Sequence, residues 1–274
     1  ERHLTTAVST LSARSQGNGA AGIYLSEADT LTIDSVSASV TEVTASGATV
    51  SVTDDAQADL IAAQNGAIVL TADGSIRVND GNADGAGVTT AGPIRLQAQG
   101  DAADLTLAAD VRSEAGPLSL LAGRDIRLNA DVGTTTGDLD LEAGGAITQG
   151  TGQQISSEGG DIALTATTGS ITLDSVNAGS GEQQGDVLLR AGAQIIDADG
   201  GDATDITARG AILQAGGGIG SGTNPLETTV TTLSAQAGQG GVFISEQQGL
   251  TIGAVEVAVS RVGAAGALPE HVTV

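Results

Sequence analysis

The sequence predicts an all-β chain wound as a right-handed parallel β-helix, a solenoid of roughly 11 coils of about 24 residues. Three observations carry that prediction. The first is the unit GDIALTATTGSITLDSV at residues 160–176, which reads turn, short strand, Gly turn, short strand. Ile162, Leu164 and Ala166 alternate with Asp161, Ala163 and Thr165, and the alternation resumes at Ile171 and Leu173, so each segment has one apolar face. Two strands this short cannot bury that face alone, and stacked copies can. The second is recurrence: GAIVLTADGSIRV from Gly66, GPIRLQAQGDAADLTL from Gly92, GPLSLLAGRDIRL from Gly116, GDLDLEAGGAIT from Gly137 and GDVLLRAGAQI from Gly185. Their first apolar residues, Ile68, Ile94, Leu118, Leu139, Ile162 and Val187, are separated by 26, 24, 21, 23 and 25 residues. The third is composition: 41 Gly, one Tyr, one Phe and no Cys, Met or Trp leave Ile, Leu, Val and Ala to fill a narrow interior.

Spacing inside the units selects the type of solenoid. From Ile68 to Ile76, Leu118 to Ile126, Leu139 to Ile147 and Val187 to Ile195 the step is eight residues, and from Ile162 to Ile171 it is nine. A fixed corner followed by a variable return suits three strands per right-handed coil, whereas a left-handed helix shows a stricter hexapeptide rhythm. Strands stacked ~4.8 Å apart give a rod on the order of 50 Å long. Regular aliphatic alternation and 40% hydrophobic content oppose disorder, despite the glycines and acids.

A longer period lies over the coil. Leu4, Thr6, Val8, Thr10, Leu11, Ser12 and Ala13 recur as Leu226, Thr228, Val230, Thr232, Leu233, Ser234 and Ala235. After a loop three residues shorter, Gly22, Ser26, Glu27, Leu31, Val36, Val40, Val43 and Gly47 recur as Gly241, Ser245, Glu246, Leu250, Val255, Val259, Val262 and Gly266. Tyr24 and Phe243, the two aromatics, coincide. The expected organisation is one continuous β-helix over residues 1–274, comprising a module of about 220 residues (4–225) and the start of a second copy (226–267). Pro93, Pro117, Pro225 and Pro269 stand singly at turns, and no low-complexity spacer divides the chain. Residues 37–65 and 197–225 fit the coil least well and are expected to hold bulges or a projecting loop.

Charge excludes several partners. With 33 acidic and 10 basic residues the formal charge is −23, and every basic residue is Arg. Such a field repels nucleic acid and anionic lipid. No run reaches the ~18 apolar residues of a membrane span, and the first residues lack a charged leader followed by an apolar segment, so an export signal is expected outside this sequence.

The GDIxLxA units, their GSIT-type second strands, and the passages GIYLSEADTLTI and IGSGTNPLETTVTTLSA resemble the repeat regions of large bacterial surface and secreted proteins of the filamentous haemagglutinin type. The resemblance spans essentially the whole chain. It implies a right-handed β-helical stalk mediating adhesion, an extracellular or cell-surface location, and export by a two-partner or related route. Partners it implies are host or neighbouring-cell glycans or proteins, and adjacent repeat modules of the parent chain.

Sites for chemistry are few. Asp80-Gly81-Asn82-Ala83-Asp84-Gly85 is a D-x-N-x-D-G loop whose Asp80, Asn82 and Asp84 are suited to Ca²⁺. Its twelfth position is Ala91 instead of Glu, and the plainer reading is an Asx-rich turn. Asp197, Asp199, Asp202 and Asp205 in DADGGDATD make a second acidic cluster, with Asp197, Asp199 and Asp202 as candidate ligands beside the plainer reading of a solvated loop. The fold requires no cofactor, and Ca²⁺ is the one these loops would take. Tyr24 and Phe243 are outward by alternation and are candidate ligand contacts.

A polysaccharide-binding or polysaccharide-cleaving β-helix using surface carboxylates is the rival reading. Cleavage wants paired acids, a facing base and often aromatic platforms. This chain has no Lys or Trp, and its two His, His3 and His271, stand at its ends. No enzyme is therefore expected. Arg77, Arg95 and Arg127 occupy outward strand positions, where ladders against Asp140 or other neighbours, or solvated faces, are expected. Scattered T-x-T segments do not repeat at every coil, which leaves ice binding a remote third option.

Overall fold

The computed structural model describes residues 3–17, 21–266 and 270–273. Among them the only helical element is a three-residue 3₁₀ turn at Gly181–Gln183. The rest forms a parallel β-solenoid of about 11 turns with coils of about 23 residues. Each full coil has three strands, and each strand lies in register on its counterpart one coil below. On the first face Ile68, Ile94, Leu118, Leu139, Ile162 and Val187 are successive register partners, so the six residues that mark the sequence period stand directly above one another. The second face stacks Leu31, Ile76, Leu105, Ile126, Ile147, Ile171, Ile195 and Ile219. On the third face, Leu60, Val88, Val111, Val132, Ile155, Val176 and Ile206 repeat the arrangement.

Alternation puts these residues inside, where they form one aliphatic column. Leu70, Leu96, Leu120, Leu141, Leu164, Leu189 and Leu213 run through seven coils with no exposed surface. Full burial of each such side chain contributes about 1.5–3 kcal/mol. The corner between third and first faces is glycine because the backbones touch there: a Cβ on Gly160 would lie 2.1 Å from the Gly137 carbonyl oxygen, and one on Gly137 2.3 Å from that of Gly116. A buried hydroxyl bridges each of these corners. Ser157 Oγ donates to the Gly137 carbonyl at 2.9 Å and accepts from the Gly160 amide at 2.8 Å. Thr90, Ser113 and Thr134 do the same in the three preceding coils.

Aspartates account for much of the acidity. An Asp just before a strand accepts the amide of its counterpart in the next coil, as Asp104 does from Asp125, Asp110 from Asp131, and Asp138 from Asp161. Asp161 in turn accepts from Asp186. These bonds extend the backbone ladder beyond the short strands.

Two stretches leave the coil. Between the second and third faces of the second coil, Ser39–Val43 and Thr49–Thr53 form an exposed antiparallel hairpin, within the region expected to project. The other departure corrects the expectation of coils to the end of the chain. The last strand of the stack is Thr251–Ile252, and residues 255–266 turn back along the outside of the first face. Val257 and Val259 bury themselves on the outward side chains Ile212, Leu188 and Ala163. Further along, the amides of Ala258 and Ser260 reach Asp161 and Asp138, and that of Val262 donates to Ser119 Oγ at 2.9 Å. Arg95 donates to the Val262 carbonyl, and His3 meets the carbonyl of Ala264. The strap thus crosses the coils from the ninth to the first.

The longer period reappears in local bonding. Thr6 Oγ1 donates to the Glu27 carboxylate at 2.7 Å, and Thr228 Oγ1 to that of Glu246 at 2.9 Å. The amides of Val8 and Val230 join the same carboxylates. The faces differ, however: Leu4–Thr6 lies in the first-face stack, whereas Leu226–Ala237 begins on the third.

Candidate metal centre

The strand Ile195–Asp197 ends the second face of its coil with the side chain of Asp197 turned inward, in register with Leu173. An aspartate survives at this inner position because the chain bends at once: Asp197 accepts the amides of Asp199 and Gly200 at 2.9 and 3.2 Å. The loop ends at Asp205, just before Ile206, at the position that Asp110 and Asp131 hold in earlier coils of the third face and Gln154 and Ser175 hold in the two coils between. Asp205 Oδ2 accepts the Glu227 amide at 2.8 Å, and its amide donates to the Glu227 carbonyl.

One carboxylate oxygen each from Asp197, Asp199 and Asp205 lies within 4.8 Å of the others, the one such acidic group among the described residues. Asp197 and Asp205 are buried and Asp199 is exposed, so the group reaches solvent on one side. Asp205 has no exposed surface, and its Oδ1 has no hydrogen-bond partner; Glu227 is 5% exposed, and its Oε2 also lacks one. Burial, with the charges of Asp197 and Glu227 adding to it, pushes the Asp205 carboxyl up to about 8. Burial and then the Asp197 charge push Glu227 up as well. Among the described residues no arginine forms an ion pair with any of the four.

The sequence-derived ligand set is thus partly assembled. Asp197 and Asp199 converge, Asp205 completes the group, and Asp202 is exposed outside it. Glu227, which no local sequence pattern marks, lies 22 residues after Asp205, about one coil away. The other acidic loop is closed on itself. Asp80 accepts the amides of Asn82, Asp84 and Gly85, Asn82 Nδ2 donates to Asp84 Oδ2, and Asp84 Oδ1 accepts the Ala86 amide. That is an Asx-turn network in which the carboxylates serve their own backbone.

The aromatics diverge. Tyr24 is outward between buried Ile23 and Leu25, and the strap at Gly266 and the ring of His3, 6.0 Å away, close over it. Phe243 is 40% exposed and borders a cleft of about 280 Å³ that also includes Asp197 and Asn224. A longer groove of about 790 Å³ follows the third face, with Thr89, Arg112, Glu114, Thr135, Ser156 and Glu158 along it. Of the outward arginines, Arg127 pairs with Asp104 and Asp125, and Arg77 reaches Asn79. Asp140 takes its ion pair from the strap, through Arg261, with the Arg95 charge acting on it more weakly.

Set beside known proteins, the chain matches no family model, no curated protein and no solved structure.

Proposed function

We propose that the chain is a structural and adhesive stalk segment of a very large exported bacterial repeat protein of the filamentous haemagglutinin type, projecting or presenting a surface for attachment outside the cell. The observation that supports this most is the unbroken aliphatic column, with every strand from the third to the eighth coil bonded to a coil on each side. Stacking of that kind gives a stiff rod whose interior offers nothing to bind, so recognition falls to the flanks and to projecting loops. The net charge of −23 keeps such rods apart. Adjacent repeat modules and host or neighbouring-cell glycans or proteins are the partners this reading names.

The groove along the third face favours a second reading, a polysaccharide-binding surface, because hydroxyls, carboxylates and Arg112 succeed one another there at coil spacing. One pair of measurements addresses both. Limited proteolysis should cut the hairpin near residues 44–48 and spare the coils, whereas cleavage throughout residues 66–215 would overturn the stalk. Glycan-array binding that is lost on Arg112→Ala would move the function to the groove. Release of reducing or unsaturated ends from a polysaccharide would make the chain an enzyme.

A further inference from the structure

We propose that Asp197, Asp199 and Asp205 bind a hard divalent cation of the Ca²⁺ class, set into the solenoid wall where the second face turns into the third. Three independent features converge on it. The first is geometry: three carboxylate oxygens within 4.8 Å of one another fit a single sphere of Ca–O contacts of about 2.3–2.6 Å. Second comes the unmet demand of buried groups. Asp205 is fully buried, and no donor of the fold meets its Oδ1 or the adjoining Glu227 Oε2, so the two carboxyls are left to each other and need a proton or a cation between them, because buried polar groups left unmet are costly.

The chain avoids this elsewhere. Buried Glu27 is met by Thr6, Val8 and Ala28, and buried Asp140 by Arg261. At Asp205 the Glu227 amide meets Oδ2 alone, and neither an arginine nor a hydroxyl reaches Oδ1. The third feature is access, since Asp199 is exposed and opens the group to solvent on that side.

Oxygen-only donors select the ion class. No His or Cys joins the group, as Zn²⁺ would favour, and a loop closed by glycines tolerates the irregular sphere of Ca²⁺ better than the strict octahedron of Mg²⁺. Glu227 adds charge behind the ligands. Bound there, the ion ties residues 198–204 to the wall and neutralises part of a cluster that otherwise repels itself.

Calorimetric titration of the full chain with CaCl₂, paired with melting curves in Ca²⁺, Mg²⁺ and chelator, tests the site. The expected result is one-site uptake with a rise in Tm that chelator reverses and Mg²⁺ reproduces weakly. Asp199→Asn, at an exposed position that leaves the fold intact, should weaken uptake by about tenfold or more, and Asp205→Asn should abolish it. Asp80→Asn, in the self-bonded loop, should leave it unchanged. No heat and no Tm shift at millimolar Ca²⁺ would overturn the site, as would uptake that responds to Asp80→Asn and ignores Asp199→Asn. An Asp205→Asn chain that melts higher in chelator, with Ca²⁺ inert on the parent, would give the position to a proton instead.

Discussion

Residues 36–53 and 255–273 begin with the same valines at the same spacing and end in opposite places. Val36, Val40 and Val43 correspond to Val255, Val259 and Val262, and both stretches form antiparallel two-stranded pairs. In the first, Val40 and Val43 are 63% and 69% exposed; in the second, Val259 and Val262 are fully buried. The valines themselves cannot explain this, so the cause lies in what each stretch meets. The strap meets an outward column that runs Ile212, Leu188, Ala163, Asp140 and Ser119, apolar for three coils and then polar. Its residues answer in the same order, Val257 and Val259 on the apolar coils and Arg261 on Asp140 and Glu142. Glu42 stands where the strap has Arg261, and among the described residues the first hairpin is anchored chiefly at its root, through the Val36–Gln57 bridge. Burial of a hairpin is here a property of the wall it reaches.

The strap arginine should show the largest difference between the two. Asp140 has a side chain only 4% exposed, and burial pushes its carboxyl up against the pull of Arg261. Asp140 in return raises the Arg261 guanidinium above its ordinary value. Arg261→Ala leaves that carboxylate buried without its partner, which costs about 3–5 kcal/mol. Denaturant melts should show the loss, and hydrogen exchange should rise first at the amides of Ala258, Ser260 and Val262. Glu42→Ala, the matching change on the free hairpin, should stay within about 0.5 kcal/mol of the parent. Equal effects from the two substitutions would mean that the strap does not hold this position in solution.

What the sequence makes legible follows from where the physics is local. Period-two alternation and glycine spacing depend on neighbours within ten residues, so Ile68, Ile94, Leu118, Leu139, Ile162 and Val187 could be picked as stack positions before any coordinates. The strap is a contact between residues far apart in the chain, up to 261 positions between His3 and Ala264, and a coil period says nothing about the outside of the wall. A signal was nevertheless present: GDIALTA, GDVLLRA and GAILQA carry Ala163, Leu188 and Ile212 at outward positions where earlier units place Arg95 and Ser119. Three successive apolar residues facing out call for a cover. The acidic cluster was legible in part for a related reason. Asp197 and Asp199 are two residues apart, Asp205 stands where Asp110 and Asp131 precede earlier third-face strands, and Glu227 enters only by stacking one coil onward.

A smaller effect sharpens the comparison at the level of one side chain. Val259→Ala removes two buried methyl groups from the cluster with Ile212 and Leu188 and should cost about 2 kcal/mol. Val40→Ala removes the same groups from water and should cost about 0.5 kcal/mol or less. The difference between the two, read from melts of both variants under one condition, measures what the wall contributes to an otherwise matched valine. A difference near zero would mean that the valines are equally solvated and that the strap is loose.

Acid separates a covered flank from an uncovered one by sign. Under the strap, burial pushes Asp161 above the usual carboxylate range despite the amides of Asp186 and Ala258. Its folded-state affinity for a proton exceeds the unfolded one, so its contribution to stability grows as pH falls from neutral through that raised value toward about 4. On the bare second face, Arg124 first and then Arg127 hold Asp104 down at about 2 despite its partial burial. That contribution is present above the unfolded value near 4 and is lost as pH falls through 2. With both arginines about half exposed, the loss is about 1 kcal/mol or less. Carboxyl carbon titrations by NMR should therefore find Asp161 protonating first, well before Asp104. Asp104→Asn should remove the acid loss below pH 4 and leave the Asp161 titration in place. If Asp161 titrates at the ordinary value, water reaches it, and the strap covers that flank only part of the time.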